Sequence, residues 1–176
     1  AEGTFNTMSV SVGGVGARPT KGGLNSTAFP SGVWGTQVEI AEASAPVLFH
    51  CRELRTDSGG AGRFRGGLGQ RIELEPTNKT GVLLFLSVER MSFPAAGRDG
   101  GLTGAPGRVR IECGPDLGSK GEIRIAGGER LIFETPGGGG IGEPRERSRD
   151  AVQSDLEEGL ISPAVARETY GWEGRE

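Results

Sequence analysis

The chemistry to consider first lies at the single histidine, His50, which stands beside Cys51. A histidine can activate a cysteine as a nucleophile. The pair lies in a strand-like stretch, however, where neighbouring side chains point to opposite faces of a sheet. One histidine also cannot supply the two or three that a histidine-based catalytic zinc site uses. We therefore expect His50 and Cys51 to be structural, and both cysteines, Cys51 and Cys113, to be free thiols.

A glycine-rich segment at residues 57–69 carries two closely spaced arginines. It begins at Asp57 and interleaves Arg63 and Arg65 with six glycines. Such a loop can bind a carboxylate or a phosphate through N–H groups and guanidinium groups. The alternative is a solvated turn with surface charges. If the segment is extended, Arg63 and Arg65 share one face and act by charge or at an interface, since arginine stays protonated.

A second unusual segment places four consecutive glycines after a strand. A turn rarely needs more than two glycines, because each costs conformational entropy. Close approach of another backbone or of a substrate is the other interpretation. Residues 137–142 formally contain GxGxxG, but no helix opens directly behind them, which disfavours a dinucleotide site. The residues concerned are Thr135, Pro136, Gly137, Gly138, Gly139 and Gly140.

The elements that must position these residues are short strands. Apolar residues alternate at 8–12, 37–40, 71–75, 108–113, 122–125 and 130–134, and further strands fit at 47–49 and 82–88. One-sided alternation predicts antiparallel pairing. Residues 82–88 are almost continuously apolar, so we expect them to form a central, buried strand. Gly127-Gly128 is the best candidate for a two-residue hairpin turn.

The tail after Pro144 is charged and poor in glycine, and it predicts two short helices. The first starts near Asp150 and ends at Gly159; the second starts at Ser162-Pro163 and ends at Gly171. Six apolar residues would pack this hairpin on the sheet: Leu156, Leu160, Ile161, Val165, Tyr170 and Trp172. The predicted fold is mainly β (α+β): an antiparallel, glycine-rich domain of about eight strands over residues 1–144, with a helical hairpin over 145–176, as one structural unit.

Composition limits the classes of function. With 33 Gly and 10 Pro in 176 residues, the chain is not a helical bundle or a coiled coil. Its 20 basic and 23 acidic residues disfavour electrostatic binding to nucleic acid or to a membrane surface. The longest apolar stretch, 82–88, is far shorter than the roughly 20 residues of a membrane span. We expect a cytoplasmic protein that is a piece or a small subunit of something larger.

Four segments, in this order, resemble the C-terminal third of the hydantoinase B/oxoprolinase family: residues 13–19 with Arg18, residues 57–69, residues 135–144 and residues 159–171. The resemblance runs from Ala1 to Trp172. That family comprises the B subunits of ATP-dependent hydantoinases, the C-terminal half of 5-oxoprolinase, and related subunits of acetone and acetophenone carboxylases. Its chemistry is ATP-driven phosphorylation of a carbonyl oxygen, followed by attack of water or another nucleophile.

The resemblance implies an enzyme acting on cyclic amides, assembled with an A-type ATP-binding subunit and the remaining N-terminal part of the B subunit. ATP and a divalent metal would bind outside this chain, which alone is expected to be inactive. The alternative is a non-catalytic assembly module of a related ATP-dependent carboxylase. No catalytic residue is assigned. The candidates for contact with an anion, a substrate or a partner are Asp57, Arg63, Arg65, Arg18, Thr135, Gly137, Gly138, Gly139 and Gly140.

Overall fold

A computed structural model describes residues 5–33 and 35–174 of the chain. Most of its regular structure is antiparallel strand, joined by long glycine-rich loops. The elements in chain order are α1 (Val38–Ser44), β1 (Val47–Leu54), β2 (Gln70–Pro76), β3 (Val82–Ser87), β4 (Arg108–Ile111), β5 (Lys120–Ile125), β6 (Leu131–Glu134), a 3₁₀ turn (Pro144–Glu146), α2 (Arg149–Glu157) and α3 (Pro163–Glu168). This confirms an antiparallel, mainly β fold, but with six strands in the described residues rather than about eight.

Four strands form the larger sheet, in the order β1-β2-β6-β4 and all antiparallel. The alternation in the sequence sets its two faces. Ile72 of β2 lies opposite Phe133 of β6, and Val109 of β4 lies opposite Phe133 from the other side. The intervening Glu73 and Glu134 belong to the opposite face, which is mostly polar but also carries the buried Ile132 of β6. One apolar face and one largely polar face are typical of a sheet whose main core lies on one side.

The main core lies between this sheet and a second one, in which β3 pairs with β5. Val82 of β3 lies opposite Ile125 of β5, and both are buried. They pack with Val109 and Leu131 of the larger sheet. Burying each such side chain stabilises the fold by roughly 1.5–3 kcal/mol, so this contact holds the two sheets together.

Two expectations about strand partners are wrong. Residues 82–88 do not form a central strand: β3 belongs to the two-stranded sheet, and its side chains alternate between the core and the solvent. Gly127-Gly128 lies in a turn, in which the Glu129 N–H donates to the Ala126 carbonyl oxygen (3.2 Å). The flanking strands β5 and β6 do not pair, because each joins a different sheet.

Two predicted strands at the N-terminal end are also absent. Residues 8–12 run outside any sheet ladder. The Val12 carbonyl there accepts from the hydroxyls of Ser26 (3.3 Å) and Thr135 (3.1 Å). Residues 38–40 open helix α1 instead of a strand. Four alternating residues are too few to distinguish the strand period of two from the helical period of about 3.6 residues. The alanines and the glutamate that follow favour a helix.

The tail forms the two predicted helices, with small differences. Helix α2 begins at Arg149, and its cap is Ser148 rather than the expected Asp150, because the Ser148 hydroxyl accepts from the Ala151 N–H (3.4 Å). Ser162 caps α3 as predicted, accepting from the Val165 N–H (3.2 Å). The apolar residues of the hairpin pack against Ala61 of the glycine-rich segment, whereas we expected them to pack on the sheet. They are Val152, Leu156, Ile161, Val165, Ala166, Tyr170 and Trp172.

Candidate functional site

The four consecutive glycines lie directly against other backbone segments. A Cβ atom on Gly137 would overlap the Ser58 carbonyl oxygen, and one on Gly138 would overlap that of Val15. On Gly139 it would overlap the Ala96 carbonyl oxygen, and on Gly140 that of Ala61. Close approach of other backbones, one of the two interpretations open from the sequence, therefore accounts for all four glycines.

The backbone segment that a glycine of this run contacts recurs after three residues. Gly137 and Gly140 face residues 58–61, while Gly138 faces residues 15–16 and Gly139 faces residues 95–96. A repeat of about three residues per turn is that of the polyproline II helix. The run is thus surrounded on three sides by chain, in the way that the axis of a collagen triple helix admits only glycine.

The surrounding segments are glycine-rich for the reciprocal reason. A Cβ on Gly14 would overlap the Gly67 carbonyl, and one on Gly66 would overlap the Gly138 carbonyl. The same holds for Gly60 against residues 102–103 and for Gly104 against Gly137. We call these packed segments, residues 13–16, 58–67, 95–104 and 137–142, the glycine lattice.

Backbone hydrogen bonds hold the lattice together in several directions. The Gly138 N–H donates to the Gly67 carbonyl (2.9 Å), and the Gly138 carbonyl accepts from the Gly60 N–H (2.8 Å). The Gly66 and Gly67 N–H groups donate to the Gly60 and Val15 carbonyls. These N–H groups, which made residues 57–69 a candidate anion site, are therefore donating within the protein.

The two candidate arginines of this segment lie in different environments. Arg65 is buried, with 7% of its surface exposed. Its Nε and one Nη contact the two carboxylate oxygens of Asp155 (3.2 and 3.3 Å), and the other Nη donates to the Gly66 carbonyl (2.8 Å). Arg63 is exposed, and its guanidinium lies 5.4 Å from the centre of the Phe64 ring. The structure thus brings Arg65 to the tail and leaves Arg63 at the surface.

Asp155 of helix α2 joins the tail to the lattice. Besides Arg65 it accepts from Arg147 (2.7 Å), and Arg147 in turn donates to the Arg63 carbonyl (3.3 Å). The nearby Tyr170 is buried too, and burial raises the pKa of its hydroxyl. Sequence reasoning missed Asp155 and Arg147. The available signal was an acid on the apolar side of a helix, three residues after Val152.

The other candidate residues have structural contacts. The Asp57 carboxylate accepts from the Ser162 N–H (2.8 Å), and its own N–H donates to Leu160 (3.1 Å). The Thr135 hydroxyl accepts from the Gln70 N–H (2.6 Å) and donates to the Val12 carbonyl. The Arg18 guanidinium is exposed and donates to the Gly22 carbonyl (2.8 Å). Asp57 and Thr135 thus join the tail, the N-terminal segment and the sheet to the lattice, whereas Arg18 bonds within its own loop.

Two open depressions border the lattice. One, of about 290 Å³, is lined by Gly139, Gly140, Ile141, Ala17, Pro19 and Arg98, among others. The other, of about 460 Å³, lies between residues 11–16, residues 87–90 and Thr135-Pro136. Arg98 was also missed by sequence reasoning. Its signal was a charged residue in a further glycine-rich stretch, residues 97–101.

His50 and Cys51 do not form a catalytic pair. The His50 Nε2 contacts the Glu75 carboxylate at 2.8 Å. Burial, with Glu53 nearby, raises the pKa of the Cys51 thiol, which disfavours the reactive thiolate. Cys51 and Cys113 are both free, as expected.

Glu73 is the most buried acid of the larger sheet's polar face. It accepts from Arg71 (2.5 Å) and from Arg130 (3.2 Å). The hydrogen bond from Arg71 holds the pKa of the Glu73 carboxyl below its usual value. Within residues 5–33 and 35–174, no three His, Cys, Asp or Glu side chains are grouped as they would be around a metal ion. Every helix in this described part is too short or too polar to cross a bilayer.

The glycine lattice is built from the same segments that carry a family pattern. The model of the hydantoinase B/oxoprolinase family matches residues 1–144. The chain belongs to this family. Within the match lie the whole lattice and both sheets, whereas helices α2 and α3 follow it along the chain.

Relatives in the family include a named enzyme and a subunit of another. The chain is 38% identical over 149 residues to caprolactamase subunit beta from Pseudomonas jessenii, covering 76% of this chain and 24% of the relative. It is 36% identical over 144 residues to 5-oxoprolinase 1 from Arabidopsis thaliana, covering 79% of this chain and 11% of the relative. The chain thus spans a quarter or less of the length of these curated relatives.

Two solved structures share the fold. The ATP-dependent caprolactamase from Pseudomonas jessenii superposes with a TM-score of 0.76 and 32% identity, covering 91% of this chain and 29% of the other. A nucleotide-free acetone carboxylase superposes with a TM-score of 0.75 and 21% identity, covering 91% and 26%. At 21% identity the second likeness concerns the fold alone.

Proposed function

We propose that this chain is the C-terminal part, or a small subunit, of an ATP-dependent enzyme that hydrolyses cyclic amides of the hydantoin or 5-oxoproline type. The observation that carries the proposal is the family match over residues 1–144, with 38% identity to a caprolactamase subunit. In the proposed reaction, ATP phosphorylates the carbonyl oxygen of the amide. Water then attacks the carbonyl carbon, the ring C–N bond breaks, and phosphate leaves.

Within that enzyme the role of this chain is to provide a rigid frame. Its most chemically suggestive side chains already have internal partners: Arg65 contacts Asp155, and His50 contacts Glu75. An A-type subunit would bind ATP, and the remaining N-terminal part of the B subunit would bind a divalent metal. The complex is proposed to work in the reducing cytosol, where free thiols persist.

Arg63 and Arg98 are the basic residues of the lattice that remain available to a partner or an anion. Both are exposed, and Arg98 lines the depression beside Gly139 and Gly140. Replacing Arg63 by alanine in the assembled enzyme should lower activity or subunit association by about tenfold, or about 1.4 kcal/mol. Arg65 is buried against Asp155, so Arg65→Ala should act through loss of this contact with the tail.

A second candidate is an assembly module of an ATP-dependent carboxylase. The specific observation in its favour is 25% identity to the acetone carboxylase alpha subunit from Xanthobacter autotrophicus, covering 94% of this chain and 26% of the relative. In that case the nucleophile would be a carbon of the ketone substrate rather than water: it would lose a proton and attack the carbon of phosphate-activated bicarbonate, and phosphate would leave. The chain would keep the same framing role in either enzyme.

The test combines this chain with an A-type subunit and the remaining B-type sequence. ATP-dependent ring opening is measured with caprolactam, 5-oxoproline and hydantoin, alongside ADP release. Carboxylation of a ketone with bicarbonate is the parallel assay. Ring opening by the assembly and no turnover by the 176-residue chain alone is the expected result. Ketone carboxylation without ring opening would favour the second candidate, and ATP turnover by the pure chain would contradict both.

A further inference from the structure

The small β3–β5 sheet has one face that nothing covers in the described part of the chain. Its inner face packs into the core through Val82 and Ile125. On the outer face Leu83 is 53% exposed and Phe85 is 72% exposed. We define this outer face by six residues: Leu83, Phe85, Ser87, Lys120, Glu122 and Arg124.

The outer face is unusual because its two strands differ in character. In β5 the outward residues Lys120, Glu122 and Arg124 are charged, as a solvent-facing strand requires. In β3 the outward residues Leu83 and Phe85 are large and apolar, and they are neighbours at a spacing of two. Contiguous exposed apolar residues with a charged rim are typical of an interface.

The sequence of β3 leads to the same conclusion. A continuous apolar run is typical of a strand that is buried on both faces, and residues 82–86 form such a run. The core covers only one face. β3 and β5 also pair only with each other among the described strands, so this sheet ends in open edges that a further chain can cover.

We propose that the outer face of the small sheet is the interface for the remaining part of the B-type polypeptide. This inference rests on the proposed function. The chain corresponds to 24% of the caprolactamase subunit and 29% of its solved chain, so most of a B-type polypeptide lies outside the matched stretch. Apolar side chains of the partner pack against Leu83 and Phe85. On β5 the partner places a base opposite Glu122, because Lys120 already contacts Glu89 (3.2 Å) and Arg124 donates to the Thr80 carbonyl (3.1 Å).

The first experiment measures the exposure of position 85 in the assembled enzyme. A Phe85→Cys variant is made in a chain that carries Cys51→Ser and Cys113→Ser, and its reaction rate with a maleimide is compared with that of a Glu157→Cys variant. Glu157 is exposed at the end of α2, which belongs to the tail rather than to the small sheet. Assembly with the rest of the B-type sequence should slow labelling at 85 by at least about tenfold relative to 157, as protection of a buried site requires.

The second experiment replaces the apolar contact by a charge. Phe85→Lys should weaken association with the separately produced B-type remainder by about thirtyfold, the loss expected for an interface hot spot. The matched control is Ile40→Lys, because Ile40 is also an exposed, large apolar residue but lies on α1. Ile40→Lys should leave the affinity within about threefold of the wild type.

The outcomes separate the inference from the proposed function. An assembly that hydrolyses cyclic amides normally, with position 85 labelled as fast as position 157, overturns the inference and leaves the function intact. Equal affinity of Phe85→Lys and wild type overturns it as well. Failure of the wild-type chain to associate with any B-type remainder contradicts the proposed function, and the inference with it.

Discussion

A single methyl group at Gly138 should disrupt the glycine lattice. In Gly138→Ala the new Cβ would overlap the Val15 carbonyl oxygen. This oxygen is not free to move, since it accepts from the Gly67 N–H (2.8 Å). The backbone of residues 137–139 cannot retreat either, because other segments pack against it on two further sides. Relief of the overlap therefore requires breaking backbone hydrogen bonds.

The cost follows from the bonds that meet at this position. They are the bond from Gly67 to Val15, the bond from Gly138 to Gly67 (2.9 Å) and the bond from Gly60 to Gly138 (2.8 Å). Losing two of the three, at about 1–3 kcal/mol for each buried group left unpaired, lowers the free energy of unfolding by about 2–6 kcal/mol. The reduced freedom of the unfolded alanine chain offsets about 0.4–1 kcal/mol of this. The net loss is a large part of the roughly 5–15 kcal/mol of a typical domain.

The assay is urea unfolding of the 176-residue chain, followed by circular dichroism. The matched control is Gly16→Ala in the same lattice. A Cβ on Gly16 would lie 3.8 Å from the Gly139 carbonyl oxygen, an ordinary contact, so this variant should unfold within about 1 kcal/mol of the wild type. If Gly138→Ala were no less stable than Gly16→Ala, the explanation of the four glycines by backbone contact would be refuted.

Three further predictions concern ion pairs and thiols. Asp155→Ala should lower the free energy of unfolding by about 3–5 kcal/mol, because it leaves two guanidinium groups buried without their carboxylate; the exposed Glu157→Ala, measured in the same urea titration, should cost less than about 0.5 kcal/mol. Because the pKa of the Glu73 carboxyl is lowered in the folded state, its ionised form stabilises the fold above pH 4.5, the usual pKa, and this contribution is lost as the pH falls through the lower folded-state pKa. Glu73→Gln should therefore reduce the fall in the free energy of unfolding at acidic pH, and an unchanged fall would contradict this. A maleimide should label Cys113 before Cys51, because Cys113 is exposed and the pKa of the Cys51 thiol is raised; mass spectrometry of partly labelled chain would show the reverse order if the reasoning failed.

Much of the local structure was predictable because it depends on neighbouring residues. The patterns in residues 71–75 and 130–134 predicted strands β2 and β6, and the alternation in 71–75 also predicted the face that β2 turns to the core. Ser162 before Pro163 predicted the start of α3, and Gly159, whose φ is +69°, predicted the end of α2. Family membership was likewise evident from ordered glycine-rich segments. In each case the signal and its structural effect lie within a few residues of each other.

The sequence by itself determined the six strand segments that form and the presence of two tail helices, with Ser162 as the cap of α3; it also predicted strands at 8–12 and 37–40 that do not form, and it left open whether residues 137–140 form a turn or approach another backbone or a substrate. Only the tertiary structure decided that β5 pairs with β3 rather than with β6, that Arg65 contacts Asp155 across 90 positions, and that the lattice surrounds the glycine run on three sides. The physical reason is that a side-chain period specifies a face but not a partner. Partners are chosen when distant segments compete for the same buried surface, and that competition leaves no local pattern in the chain.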